Sequence, residues 1–390
     1  MTGIGRATEG ASAEDAGRLV LSSMQRWAHD RHVPLNVTLE LTQRCNIRCL
    51  HCYNFDRDEP RATKGCGDGS PELSREEILA LIGDLHAAGC FFLNFTGGEA
   101  LLHPDLFVFL DRAAELNLAV SLLTNGVLLR PGMAKKLASY PNLTRVAVSV
   151  YGATPATHDR ITQAPGSFDR TWSGMERLRR LGMPILVKFI VMRENAAEVE
   201  AMRAEAESRG FPFGFDLTVT ARHDGNRDSL ERRITRAQLE QICRGPLRDR
   251  VPGGPARTLT DEQFACNCAR GNCGITAQGD VQPCISVPLV AGNIRQQPFA
   301  QIWKYAPAFQ KIRGLRIADY HQCAPCDHKS WCTRERGAAL TYSGQYTGVD
   351  PLVCAKAEIA HQIADEAAAA AIAHRPGPEV TPLAEEAQDL

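Results

Sequence analysis

The chain has 390 residues, 44% of them hydrophobic and 23% charged, with a formal net charge of −1. That length suits one large domain plus a smaller one, and the balanced charge leaves no electrostatic footprint for nucleic acid or an anionic membrane. No apolar run reaches the roughly 18–20 residues needed to span a bilayer, and no secretion signal opens the chain. Fourteen cysteines in such a chain point to metal ligation in a reducing cytoplasm rather than to disulfides.

In chain order, residues 1–11 are small and polar and read as disordered. Residues 12–31, through Met24 and Trp27, read as one amphipathic helix inside an N-terminal extension, 1–35. From Asn36 strand-like and helix-period segments alternate. Strands are expected at 36–42, 90–96, 119–124, 145–150, 184–191 and 213–219. Helices are expected at 74–88, 104–116, 131–139, 167–181 and 196–209. Ser74 followed by Glu77 forms a capping box at the head of the first of these helices. The alternation predicts an α/β fold, a parallel sheet with helical crossovers over residues 36–244. Six units are fewer than the eight of a closed barrel, so the predicted barrel is open at one side, wide enough for a large substrate to enter. Residues 235–243 read as helical. Turn formers mark a linker at 245–262, a cysteine-rich segment occupies 263–355, and an Ala-rich helix runs from Ala355 to about His374. The tail from Pro376 is acidic and reads as disordered, closing a C-terminal region of 356–390.

Just past the first strand comes Cys45-x3-Cys49-x2-Cys52, followed by Tyr53. Thiolates are soft ligands that suit iron–sulfur clusters. Three of them on one short loop can converge on one face of a cubane and leave its fourth iron open to a small molecule. The alternatives are a zinc site that uses His51, or buried cysteines without metal. Further candidate residues fall at the carboxyl ends of later strands, where such folds place their chemistry. Gly97-Gly98-Glu99 follows the second strand, Thr124-Asn125-Gly126 the third, and Ser149-Val150-Tyr151 ends the fourth. Arg160 lies shortly after. Met192 to Asn195 follow the fifth strand, and the polar loop 221–226 follows the sixth and is read as facing substrate. His51 and Lys188 are candidate proton carriers.

A second cysteine field holds Cys266, Cys268, Cys273, Cys284, Cys323, Cys326, Cys332 and Cys354, eight cysteines within 89 residues. Few strand or helix runs lie between them, so a metal would have to supply the missing core. Gly279-Asp280-Val281-Gln282-Pro283-Cys284 reads as a tight hairpin presenting a thiolate. One or two zinc sites are the plainer reading of this field. Cys66, Cys90 and Cys243 have no partners at ligand spacing and read as ordinary thiols.

Taken together, these motifs resemble the radical S-adenosylmethionine (SAM) superfamily. The three-cysteine loop with its aromatic neighbour, the Gly-Gly-Glu after strand two and the Thr-Asn-Gly after strand three carry the likeness. The second cysteine field resembles the SPASM extension of members that modify peptides and proteins. The resemblance covers residues 36–354. It implies a partial (β/α)6 barrel followed by a small cysteine-rich iron–sulfur domain. It implies a [4Fe-4S] cluster on Cys45, Cys49 and Cys52 whose open iron chelates SAM, which is cleaved reductively to methionine and a 5′-deoxyadenosyl radical. It implies SAM contacts from Tyr53, Gly97, Gly98, Glu99, Ser149 and Arg160. Two auxiliary iron–sulfur clusters are implied as well. Cys323, Cys326, Cys332 and Cys354 would hold one. Cys268, Cys273 and Cys284 would hold the other, whose usual fourth ligand is missing because position 336 is Arg336. Cys266 then substitutes, or an iron stays open.

The function implied is an oxidoreductase that abstracts hydrogen from a peptide or protein and leaves a cross-link, thioether, oxidation or epimerised centre. Implied partners are that substrate, a separate leader-peptide-binding protein, and an electron donor such as flavodoxin or ferredoxin. Members that mature sulfatases carry an acid directly after the hairpin cysteine; Ile285 stands there, which disfavours formylglycine formation. Two other hypotheses are tetrapyrrole or haem-precursor chemistry and a zinc-stabilised binding protein without enzymatic activity.

Overall fold

The computed structural model describes residues 13–54, 71–251, 259–264 and 266–373. The expectations for residues 1–11, for Cys66 and for the tail from Pro376 lie outside the described residues, as does part of the 245–262 linker. The N-terminal helix α1 (Ala13–Arg31) leads into β1 (Asn36–Thr42). There follow α2 (Arg75–Ala87), β2 (Phe92–Gly97), α3 (Leu106–Glu115), β3 (Ala119–Thr124), α4 (Pro131–Ala138) and β4 (Leu143–Val150). Two helices, α5 (Pro155–Thr162) and α6 (Ser167–Arg180), precede β5 (Ile185–Ile190), and α7 (Val199–Ser208), β6 (Phe213–Asp216) and α8 (Arg236–Arg244) complete this part. The capping box forms as read: the Glu77 amide donates to Ser74 Oγ at 3.2 Å and the Ser74 amide to Glu77 Oε2 at 2.7 Å.

Strands β1 to β6 are parallel and lie side by side in chain order. Their alternation divides the sheet into two unlike faces. Val37, Leu39, Leu93, Phe95, Val120, Leu122, Val146, Val187 and Phe189 are fully buried, in one core with Ile78, Leu85, Phe109 and Met175 of the helices. The intervening residues are mostly polar, with Thr38 opposite Asn94, Glu40 opposite Thr96 and Ser149 opposite Lys188. A sheet buried on both sides would need apolar residues at both sets of positions; the polar row marks the side on which a cavity opens.

The cysteine-rich segment holds more regular structure than its composition suggests. It supplies β7 (Asn272–Ile275), β8 (Asp280–Gln282) and β9 (Gly292–Asn293), then α9 (Phe299–Tyr305), α10 (Pro307–Gly314), α11 (Arg336–Ser343) and α12 (Pro351–Ala373). Strand β7 pairs in parallel with β1, placing Cys273 opposite Val37. The result is one nine-stranded sheet of order β6-β5-β4-β3-β2-β1-β7-β8-β9, open at β6 and β9. The sheet is therefore not closed, as the count of six units predicted, but it extends three strands beyond that count. Among the described residues no helix is long and apolar enough to cross a membrane.

Candidate active site

The loop carrying Cys45, Cys49 and Cys52 leaves the carboxyl end of β1 and is fastened from three directions. The Arg48 and Leu50 amides donate to the Thr162 and Ile161 carbonyls at the end of α5, each at 2.9 Å. The Gly98 amide donates to the Thr42 carbonyl at 2.7 Å and the Glu99 amide to the Arg44 carbonyl at 2.8 Å. That approach is why two glycines stand here: a Cβ on Gly97, whose φ is +132°, would strike the Thr42 carbonyl, and one on Gly98 the Gln43 and Arg44 carbonyls. The Asn125 side-chain amide, after β3, donates to Asn46 Oδ1 at 2.8 Å and lies 3.8 Å from Cys45 Sγ.

Cys49 is buried and Cys45 and Cys52 are partly so, in an apolar nest with Ile47, Tyr151, Ile161, Met192 and Val219. The Tyr151 hydroxyl reaches both Cys49 and Ser149, and burial pushes its pKa well above the ordinary phenol value. Asn195 fixes this wall by donating to the Tyr151 and Ile190 carbonyls at 2.9 Å each and accepting from the Met192 amide at 2.7 Å. Tyr53 packs against His223 with ring centres 4.6 Å apart and the planes tilted by 43°.

Glu99 is 1% exposed, and its carboxylate is occupied within the protein. It accepts from Thr124 Oγ1 at 2.7 Å, the Asn125 amide at 2.8 Å and the Leu101 amide at 3.1 Å. Burial raises its pKa against these bonds. The geometry makes Glu99 a brace between the β2 and β3 loops. Arg160 is exposed on α5 and donates to the Glu194 carbonyl at 3.3 Å. Ser149 and Lys188 lie on the polar face, neighbours in the β4–β5 register.

In the second field the structure makes two groupings. Cys266, Cys268 and Cys284 form a chain of thiol contacts; bonding to Cys268 holds Cys266 and Cys284 below the ordinary thiol range, and Cys268 is pushed above it. Cys323, Cys326, Cys332 and Cys354 share a second neighbourhood, where burial and then the other three thiols raise Cys354 to about 11. Cys273, which the resemblance groups with Cys268 and Cys284, is placed differently from them. It is 2% exposed, on the same face of the sheet as Val37, beside the buried Cys90 and within electrostatic reach of Cys284. The adjacent Gly274 is the residue packed against the Cys284–Ile285 backbone, so strand alternation turns Cys273 away from that hairpin. Among the described residues no three His, Cys, Asp or Glu side chains could hold a single metal ion; cluster thiolates each bind a separate iron and need no common centre. Soft thiols in sets of three and four, in nests closed by apolar side chains, fit iron–sulfur clusters.

A cavity of about 780 Å³ lies on the polar side of β5 and β6. Lys188, Asp216 and Thr218 line it from the barrel, Ser286 from beside Cys284, and Glu335 and Lys356 from beyond Cys332. Val219 packs in the cysteine nest, while Thr218 and Thr220 on either side of it line the cavity. Lys356 pairs with Glu335; although burial pushes the Glu335 carboxyl up, Lys356 holds it below its ordinary value. Burial raises Asp216. Asp216, Glu335 and Lys356 were not singled out from sequence, because nothing local marks residues that meet only across the fold.

An open parallel sheet with a three-thiol loop after its first strand defines the class: an iron–sulfur enzyme built on a partial barrel. The Radical SAM superfamily model matches residues 39–206, and an iron–sulfur cluster-binding domain model, SPASM, matches 266–327. An AdoMet-dependent heme synthase of Methanosarcina barkeri is 30% identical over 82% of this chain and 96% of its own length. The mycofactocin maturase MftC of Mycobacterium ulcerans is 28% identical, over 84% and 90%, and a PqqA peptide cyclase of Granulibacter bethesdensis 25% identical, over 86% and 91%. The crystal structure of Streptococcus suis SuiB bound to S-adenosylmethionine shares the fold, with a TM-score of 0.61 and 13% identity over 90% of this chain and 83% of that one. The chain belongs to the radical SAM superfamily, and it carries the SPASM iron–sulfur domain. Its cofactors are accordingly SAM, a [4Fe-4S] cluster and auxiliary iron–sulfur centres.

Proposed function

We propose that this oxidoreductase abstracts a hydrogen atom from a peptide or protein bound in the 780 Å³ cavity and so modifies it after translation. The carrying observation is that one cavity is walled both by the barrel, through Lys188, Asp216 and Thr218, and by the cysteine-rich region, through Ser286 beside Cys284 and Thr333 and Glu335 just after Cys332. Cys45, Cys49 and Cys52 hold the SAM-binding cluster, and residues 36–244 form the barrel around it. When bound, that cluster and SAM supply a 5′-deoxyadenosyl radical. Tyr53, Gly97, Gly98, Ser149 and Arg160 border the space for SAM, and Glu99 shapes it by bracing two loops. Residues 263–355 carry two auxiliary sites, on the Cys266 and Cys323 groupings. Lys188, Asp216, Glu335 and Lys356 orient substrate by charge. The maturase and peptide-cyclase relatives support a peptide substrate. A flavodoxin or ferredoxin as donor and a separate leader-binding protein complete the cytoplasmic system.

A second reading is favoured by the 30% identity to a heme synthase along 96% of that protein. In that case the two cavity lysines bind carboxylate side chains of a tetrapyrrole. The test is 5′-deoxyadenosine production by anaerobically reconstituted, reduced enzyme, supplied separately with peptide and small-molecule fractions of host lysate. Stimulation by the peptide fraction, with one peptide changing mass, supports the first reading. Stimulation by the small-molecule fraction alone replaces it with the second. Cys45→Ala, Cys49→Ala and Cys52→Ala should each abolish SAM cleavage; cleavage that survives all three overturns both readings.

A further inference from the structure

Arg336 occupies the position where the resemblance expects a cysteine, and its side chain is turned inward. It is 5% exposed. Its Nε donates to the Arg334 carbonyl at 3.0 Å, and its Nη1 to the Gly348 carbonyl at 3.1 Å and the Tyr346 carbonyl at 3.4 Å. The guanidinium carbon lies 5.0 Å from the centre of the Tyr320 ring. Arg336 bonds the backbone of Tyr346, whose hydroxyl reaches Cys266, and lies over Tyr320, against which Cys323 packs, so it stands between the two auxiliary thiol groupings. Residue 337 follows as glycine because a Cβ there would strike the Ser286 carbonyl, which locks the first turn of α11 against the Cys284 hairpin. The Tyr346 hydroxyl lies 3.2 Å from Cys266 Sγ. A sulfur that ligates iron carries no proton, so in the loaded protein the phenol is the donor.

We infer that Cys266, Cys268 and Cys284 alone hold one auxiliary cluster, and that the buried Arg336 cation and the Tyr346 donor replace its fourth thiolate and raise its reduction potential. Removing a thiolate, adding a fixed positive charge and donating a hydrogen bond to a ligating sulfur all stabilise the reduced form. Such a cluster takes up one electron readily, the electron that a substrate radical must lose when the final product is closed-shell. The inference rests on the auxiliary-cluster reading above.

The test is a redox titration of the anaerobically reconstituted full chain, followed by electron paramagnetic resonance, with iron content measured alongside. Arg336→Gln should lower the auxiliary midpoint potentials by at least a tenfold change in the one-electron equilibrium, about 59 mV. Arg336→Lys should recover part of the shift. Tyr346→Phe should lower the potential of one auxiliary signal only. Cys273→Ala should keep its full iron, whereas Cys266→Ala should lose a cluster. The SAM-binding cluster should hold its potential throughout, which serves as the folding control. If Arg336→Gln does not fold, Tyr346→Phe and Cys273→Ala decide. Unmoved potentials, or iron lost from Cys273→Ala, overturn the inference while leaving the cofactor reading intact. Wild-type protein with iron for the SAM-binding cluster alone would overturn both.

Discussion

Glu99 shows how much one carboxylate can organise when it is buried with all its bonds made. Its oxygens join the loops after β2 and β3, and the second of those loops holds Asn46 and touches Cys45. Glu99→Gln puts an amide donor opposite the Asn125 or Thr124 donor, leaving a buried polar group unpaired at a cost of about 1–3 kcal/mol. Thermal unfolding and iron content should both report the loss, and unchanged values in both would show that the brace is dispensable. Glu40 makes a separate prediction. It is 2% exposed, and burial raises its pKa from 4.5 to about 7, outweighing the lowering influence of the nearby Asn54 side chain and Ala277 backbone. A carboxyl that binds its proton more tightly when folded contributes most below the unfolded pKa, and that stability is lost as pH rises through about 7. Between pH 4.5 and 7 the loss amounts to at most about 3 kcal/mol. Glu40→Gln should flatten that part of the stability–pH curve, measured by urea unfolding at pH 5 and pH 8. Identical slopes for the two proteins would rule Glu40 out as the source.

Among the elements, α2 packs against α9 of the cysteine-rich segment and is also joined to that segment by Arg295. Arg295 Nε and Nη2 bond the two Glu77 oxygens at 2.6 and 2.8 Å, and Nη1 donates to the Pro71 carbonyl at 2.8 Å. The Arg295 hydrogen bond holds Glu77 down to about 2, so this stability is present above the unfolded pKa of 4.5 and is lost as pH falls toward 2. The pair is partly exposed, which limits its contribution. Arg295→Ala should cost about 1 kcal/mol at pH 7 and little near pH 2 in equilibrium unfolding; an equal cost at both would mean packing, not charge. The barrel elements were legible because each carries its own periodicity: β1, β3 and the core of α6 stand where alternation and helical spacing put them. Helix α5 was missed although Thr154 caps it and Pro155 opens it, because eight mostly polar residues show no apolar stripe. Strand β7 was missed because Asn272 to Ile275 is short and its pairing partner is β1, far away in the chain. The three-cysteine loop stood out by its spacing, with the resemblance supplying its cluster reading. The grouping of Cys266, rather than Cys273, with Cys268 and Cys284 was not legible, since it follows from which face of β7 looks toward the hairpin.

Across the whole molecule, the charged cavity draws its walls from segments far apart in sequence, with Lys188 and Asp216 from the barrel and Glu335 and Lys356 from the C-terminal region. No local pattern announces such a set. Lys356→Met removes a charge and leaves Glu335 without its ion pair, held only by hydroxyls such as that of Thr333. Substrate turnover should fall at least tenfold, about 1.4 kcal/mol in the transition state, while cleavage of SAM in the absence of substrate continues. Equal loss of both activities would mean that the variant disturbs the cysteine loop instead.

The pairing of β7 with β1 bears on biogenesis. As the chain emerges from the ribosome, β1 and the loop after it appear first, and the strand that covers the outer edge of β1 follows only after some 230 further residues. Until then β1 presents an unpaired edge, which invites association with other strands, and closing so long a connection is slow. The interval also leaves the Cys45 loop approachable by an iron–sulfur carrier before the auxiliary segment folds across that side. Synthesis and metal delivery are thereby coupled: a chain interrupted before residue 272 should accumulate as aggregates, and one starved of iron during translation should not be fully rescued by iron added later.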